Sequence, residues 1–158
     1  MHLVGGGIVG LVIVFAGSAG AQSIERDMLT AHNAFRARVG TAPLTWSSRL
    51  AARAQEWTDN LHARRQFIHS HSPFGENLFE IVGKGASVSA KEVVDAWAAE
   101  SRDYDHRSNR RRGVCGHYTQ IVWSDTKEVG CAVARGEDRE VWVCEYDPPG
   151  NWVGRQPY

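Results

Sequence analysis

Apolar positions recur every three or four residues over 25–39, where Met28/Leu29, His32, Phe35/Arg36 and Val39 fall on one stripe. That spacing predicts an amphipathic helix. A turn follows at Gly40-Thr41-Ala42-Pro43, and Ser47 or Ser48 can then cap a second helix. It runs to about His62, with Leu50, Ala51, Ala54, Trp57 and Leu61 along its apolar face. Residues 76–82 read as a short strand and 83–87 as a loop. Ser89 and Glu92 form a capping box: the serine oxygen takes a first-turn N–H and the glutamate reaches back. The helix they start sets Val93, Val94, Trp97, Ser101 and Tyr104 on one face.

The pattern then changes to two strands, Val129–Arg135 and Glu140–Tyr146, around Gly136-Glu137-Asp138-Arg139. If Arg135 sits opposite Glu140, the count along both strands brings Cys131 opposite Cys144, with Val133/Trp142 and Val129/Tyr146 on the same face. Directly opposed residues lie about 4.5–5.5 Å apart at Cα, which a disulfide spans. A bridge closing so short a loop contributes roughly 3 kcal/mol on the chain-entropy account. Cys131–Cys144 is therefore the expected pair and Cys115 the free thiol. Helices interleaved with few strands and ending in a hairpin predict an α+β fold, helices packed on a small, mainly antiparallel sheet.

The N-terminus has no such periodicity. Residues 3–16, LVGGGIVGLVIVFA, are uncharged, and small residues lead to Ala19-Gly20-Ala21. This reads as a signal peptide over 1–21 with an A-x-A cleavage site and a single domain over 22–158. An uncleaved anchor is the alternative, because Met1-His2 carries no Lys or Arg. The run is shorter than the ~20 residues of a membrane span, so the mature chain is expected to have none. Export makes the protein extracellular, or periplasmic in a bacterium, and lets a disulfide persist. The 158-residue length fits one domain, and 18 Lys+Arg against 18 Asp+Glu excludes electrostatic capture of nucleic acid.

Polar and aromatic residues crowd into three segments: His69-Ser-His-Ser-Pro-Phe-Gly-Glu-Asn77, Cys115-Gly-His-Tyr-Thr-Gln-Ile-Val-Trp123 and Val143-Cys-Glu-Tyr-Asp-Pro-Pro-Gly-Asn-Trp152. With Trp97-x-x-Glu100, they resemble the four motifs of the CAP superfamily, which comprises cysteine-rich secretory proteins, antigen 5 and plant pathogenesis-related class 1 proteins. The resemblance runs from about Met28 to Tyr158. It implies a three-layer α-β-α sandwich with an open cleft lined by His69, Glu76, Glu100 and His117. Imidazoles are neutral nitrogen ligands, and carboxylates can fix their tautomers or complete a metal shell. Three uses of the tetrad stand open, in descending order: weak binding of a divalent metal, zinc first, through His69 and His117; a structural hydrogen-bond network; and catalysis.

The other candidates rank lower. His71 lies two residues from His69, and motif spacing to Glu76 favours His69. His32 sits in an HNxxR pattern with Asn33 and Arg36 and is expected to pack or hydrogen-bond in the interior; His62 and His106 are expected to be solvated. In the plant relatives the counterpart of Cys115 bonds a cysteine six residues earlier, but Asn109 stands there in this chain. No G-x-S-x-G elbow or His-Glu-x-x-His helix occurs. Tyr118, Gln120 and Trp123 are expected to brace the His117 helix against the sheet, with Trp142 and Tyr146 in the core.

Arg107, Arg110, Arg111 and Arg112 make a cationic stretch between the Glu100 and His117 motifs. Residues 105–116 lack Phe, Trp and Tyr, which weakens sterol binding as a property carried over from relatives. The stretch reads first as a solvated loop and second as a contact for anionic lipid or polysaccharide surfaces. The leading function is a secreted, non-enzymatic binding module for a metal and for a lipid or other small apolar ligand. The alternative is a metal-dependent hydrolase with Glu76 or Glu100 as base.

Overall fold

The computed structural model describes residues 19–158, so the apolar run at 3–16 lies outside the described residues. The first stripe forms helix α1 (Ala19–Val39), which begins upstream of the expected start and buries Met28, Ala31, His32 and Arg36. A two-residue strand β1 (Thr45–Trp46) precedes helix α2 (Ser48–Arg64). Ser47 holds the N-cap position of α2 but makes no capping bond with its side chain. Its backbone N–H instead donates to Val129 O, which extends the pairing begun by β1. Helix α2 buries Leu50, Ala54, Thr58 and Leu61, and Arg65 ends it in a left-handed conformation.

Strand β2 (Gly75–Val82) is followed by helix α3 (Ala90–Ala98), which starts at the expected capping box: the Glu92 N–H donates to Ser89 Oγ, and the Ser89 N–H donates to Glu92. Beyond Ala98 the backbone tightens into a 3-10 turn (Ala99–Asp103). Three residues per turn in place of 3.6 rotate the face expected for α3, so Ser101 is exposed while Tyr104 is buried. The arginine-rich stretch is solvated but folded. Strands β3 (Tyr104–Asp105) and β4 (Arg110–Arg111) pair antiparallel around a 3-10 turn, and Arg112 ties the ribbon down through Asp103 O and the Asp105 carboxylate. His106 departs from the expected solvated ring, because it lies flat on Tyr158 with centroids 4.2 Å apart.

After the short helix α4 (Gly116–Ile121) come β5 (Glu128–Arg135) and β6 (Arg139–Asp147), in the predicted register with Arg135 opposite Glu140. Cys131 and Cys144 are opposed at 4.1 Å between Cα atoms and bonded, and Cys115 is free and buried. The sheet order is β1-β5-β6-β2, antiparallel except for the parallel β1–β5 pair. Alternation divides its residues between two cores. Val129, Cys131, Trp142, Cys144 and Tyr146 pack with Met28, Val93, Val94 and Trp97 on one side. Leu78, Ala132, Val141 and Val143 meet Ala54 and Leu61 on the other. The chain is thus an α-β-α sandwich. Helix α2 lies so close to β5 that a Cβ on Gly130 would come within 2.2 Å of the Ala51 nitrogen.

Candidate functional site

Two imidazole–carboxylate pairs meet at the edge of β2. His69 Nδ1 lies 2.6 Å from Glu76 Oε1, and the Ser70 N–H donates to the same oxygen at 3.0 Å. His117 Nδ1 lies 2.6 Å from Glu100 Oε1, while the His117 and Tyr118 amides donate to Oε2 at 2.9 and 3.4 Å. An ionised carboxylate only accepts, so each Nδ1 carries a proton, and whenever the ring is neutral its lone pair lies on Nε2, away from the carboxylate. His69, Glu76 and His117 line one concavity of about 190 Å³ with Asn77, Val114, Gly116 and Asn151. Glu100 stands behind His117, so the structure brings all four tetrad residues together with the carboxylates as backing. His71 does not join them. It adopts a left-handed conformation (φ 57°) and is exposed beside His69 in a neighbouring hollow.

Several elements converge to hold His117. The fully buried Arg36 of α1 donates to the carbonyls of Ile121 and Trp123 at the end of α4, and also to Ala42 and Thr126. Burial lowers its guanidinium to about 10, the cost of placing a cation where four carbonyls substitute for water. Gln120 wedges its carboxamide against Gly75, where a Cβ would come within 2.2 Å of its oxygen, and accepts from the Gly150 N–H, where a Cβ would meet the Trp123 ring at 2.7 Å. Trp97 stacks on His117 at 6.1 Å between centroids. Asn77 donates both to His117 O and to the Tyr146 hydroxyl. The Tyr146 hydroxyl is 2.8 Å from His32 Nε2, and His32 Nδ1 is 2.8 Å from Met28 O. The carbonyl accepts from Nδ1, so Nε2 accepts from Tyr146. Burial first, with help from Arg36, drops His32 to about 4, which makes it the interior hydrogen-bonding residue expected.

One site residue has no precedent in the motif reading. Glu145 pairs directly with Glu76 across β6 and β2, is 1% exposed, and accepts from Ser72 Oγ at 3.0 Å. Burial, then the charge of Glu76, raises its carboxyl to about 7. Cys115 offers no nucleophile: burial pushes its thiol up, opposite to what reactivity needs. Asn109, six residues before Cys115, is left-handed and accepts from the Tyr104 hydroxyl.

Among the described residues no three His, Cys, Asp or Glu side chains converge on a metal position. The donor set that fits an ion is the two free Nε2 atoms, each oriented from behind by a carboxylate. The family model described as the cysteine-rich secretory protein family matches residues 29–146. Pathogenesis-related protein 1A of Nicotiana tabacum is 45% identical over 151 residues, covering 94% of this chain and 89% of that protein. Among solved structures, Na-ASP-1 superposes with a TM-score of 0.75 at 23% identity over 98% of this chain, which spans 46% of that one. A structure titled NaASP2 with Zn2+ gives 0.73 at 23% identity, covering 90% of this chain and 88% of its own. At these identities the structural likeness bears on the fold.

Proposed function

The chain belongs to the cysteine-rich secretory protein family, and on that premise we propose that it is an exported, non-enzymatic binding module whose cleft holds a divalent metal through His69 and His117. The observation that carries this reading is the matched pair of Nδ1–carboxylate contacts at 2.6 Å, which leaves two oriented Nε2 lone pairs on one small concavity. A carboxylate behind a ligating imidazole fixes its tautomer and raises its basicity. Two protein ligands make a weak, open site; a zinc ion there supplies a Lewis-acidic centre for a polar or anionic group. The NaASP2 structure was solved with zinc, which makes zinc the first ion to test.

Both carboxylates are already committed. Glu76 serves His69 and the Ser70 amide, and Glu100 serves His117 and two amides. That supports a holding role over proton abstraction, which needs a base with a free lone pair aimed at substrate. Val114 is the lone aliphatic side chain lining the cleft, which favours a metal over an apolar ligand as its occupant. Export is supported by the uncharged run at 3–16, the A-x-A that follows it and the bridged cysteines. No helix among the described residues is long and apolar enough to cross a membrane.

Calorimetric titration of the purified protein with Zn²⁺ tests the reading. Weak saturable binding is expected, lost in His69→Ala/His117→Ala. A double variant that titrates like the parent removes the proposal.

A further inference from the structure

The ribbon β3–β4 and the C-terminal segment enclose a second concavity of about 330 Å³. Its walls are Asn109, Arg111, Asn151, Trp152 and Arg155, with Val153 at the rim. No member of the His/Glu tetrad lines it. Trp152 is 55% exposed, yet its Nε1 donates to Pro149 O at 3.1 Å. Its one polar atom is spent, and the ring is held as a platform. The carboxamides are also fixed: Asn109 accepts from Tyr104, and Asn151 donates to Gly116 O while accepting from Thr119.

The guanidinium groups differ in their partners. Arg112 is paired with Asp105 at 3.1 Å and Arg155 with Asp125 at 2.6 Å. Arg111 lines the groove and has no carboxylate partner among the described residues, nor do Arg107 and Arg110 on the same ribbon. A chain of balanced charge therefore presents a local excess of positive charge on this ribbon, next to an exposed indole and two oriented amides. That combination has a chemical complement. A sugar ring lays its C–H face on an indole, its hydroxyls bond carboxamides, and a uronate carboxylate accepts a two-pronged bond from arginine.

We propose that this groove binds an acidic glycan, with a sugar ring on Trp152 and its carboxylate on Arg111. Arg111 and the two carboxamides beside the indole favour a saccharide, which they can bond directly, over a bilayer, which Trp152 and Val153 alone would anchor with little apolar area.

Titration of the whole protein with an oligogalacturonate, followed by calorimetry and amide chemical shifts, tests this directly. Expected are saturable binding that weakens with salt, and shifts clustered at 109–111 and 151–155. Arg111→Gln and Trp152→Ala should each weaken binding by about tenfold or more. The methyl-esterified oligomer should lose a similar factor, and His69→Ala/His117→Ala should bind as the parent does. Both groove residues are exposed, so neither change removes core packing, and circular dichroism verifies the fold. Absence of binding, equal affinity for acid and ester, or parental affinity in both groove variants overturns the proposal. So does Arg111- and Trp152-dependent sedimentation with phosphatidylserine vesicles in the absence of glycan binding, an outcome that would make the groove a membrane contact.

Discussion

Glu100 accepts from His117 Nδ1 and from two backbone amides at the start of α4, so one side chain both selects a tautomer and satisfies helix-end donors. Glu100→Gln separates these duties. The glutamine can turn its oxygen to the ring or to the amides but not to both, and its NH₂ then faces a donor. We expect a stability loss of about 1–3 kcal/mol in urea unfolding and a 10–100-fold weaker zinc titration, the usual order for losing a carboxylate behind a ligating histidine. Unchanged zinc affinity would argue that the ring is oriented by stacking on Trp97 alone. The tetrad itself was legible because each member stands in a motif that resembles a known family. Glu145 was not. Its meaning depends on lying opposite Glu76, and the pairing of β2 with β6 joins segments far apart in sequence whose alternation carries no address for one another.

At the level of elements, the strongest local signals formed as read, the Ser47 side-chain cap excepted, and the long-range pairings did not show in the sequence. The capping box and the β5–β6 register are written within a few residues, and both formed as predicted. Strand β1 has two residues, too few for alternation to register, and exists because Thr45 and Ser47 donate to Lys127 O and Val129 O. The tightening of α3 into a 3-10 turn follows from its docking, since it delivers Glu100 to the start of α4. Helix α4 is the clearest dependent element. At six residues it lies below the length at which a helix is stable alone, and Arg36 fastens its C-terminal end from α1. Arg36→Lys keeps the charge but replaces a planar fork with one nitrogen, which cannot reach four carbonyls. The expected loss is about 2–4 kcal/mol by urea unfolding, with faster amide exchange over 118–122 and weaker zinc binding. Exchange that speeds up uniformly along the chain would show that Arg36 serves general stability and has no special tie to α4.

Across the whole molecule, two buried titratable groups pull stability in opposite directions with pH. Glu145 is raised from an ordinary 4.5 to about 7, so between those values the folded chain keeps a proton that the unfolded chain has lost, and stability falls as pH rises. His32 is lowered from 6.5 to about 4, so over that interval the unfolded chain holds the extra proton, and stability falls as pH drops. From pH 4.5 to 6.5 the two slopes oppose each other one proton for one, and their joint contribution is flat. Both groups are almost fully excluded from solvent, which keeps the shifts from being screened away. Glu145→Gln removes one side of this balance while still accepting from Ser72. In the variant, unfolding free energy should climb by about 1.4 kcal/mol per pH unit across that window, and its stability relative to the parent should rise by about 3 kcal/mol between pH 4.5 and pH 8. Urea midpoints measured from pH 4.5 to pH 8 in both proteins distinguish the cases. Parallel profiles would mean that Glu145 ionises freely in the fold; profiles that diverge as pH rises would establish it as the proton held opposite Glu76.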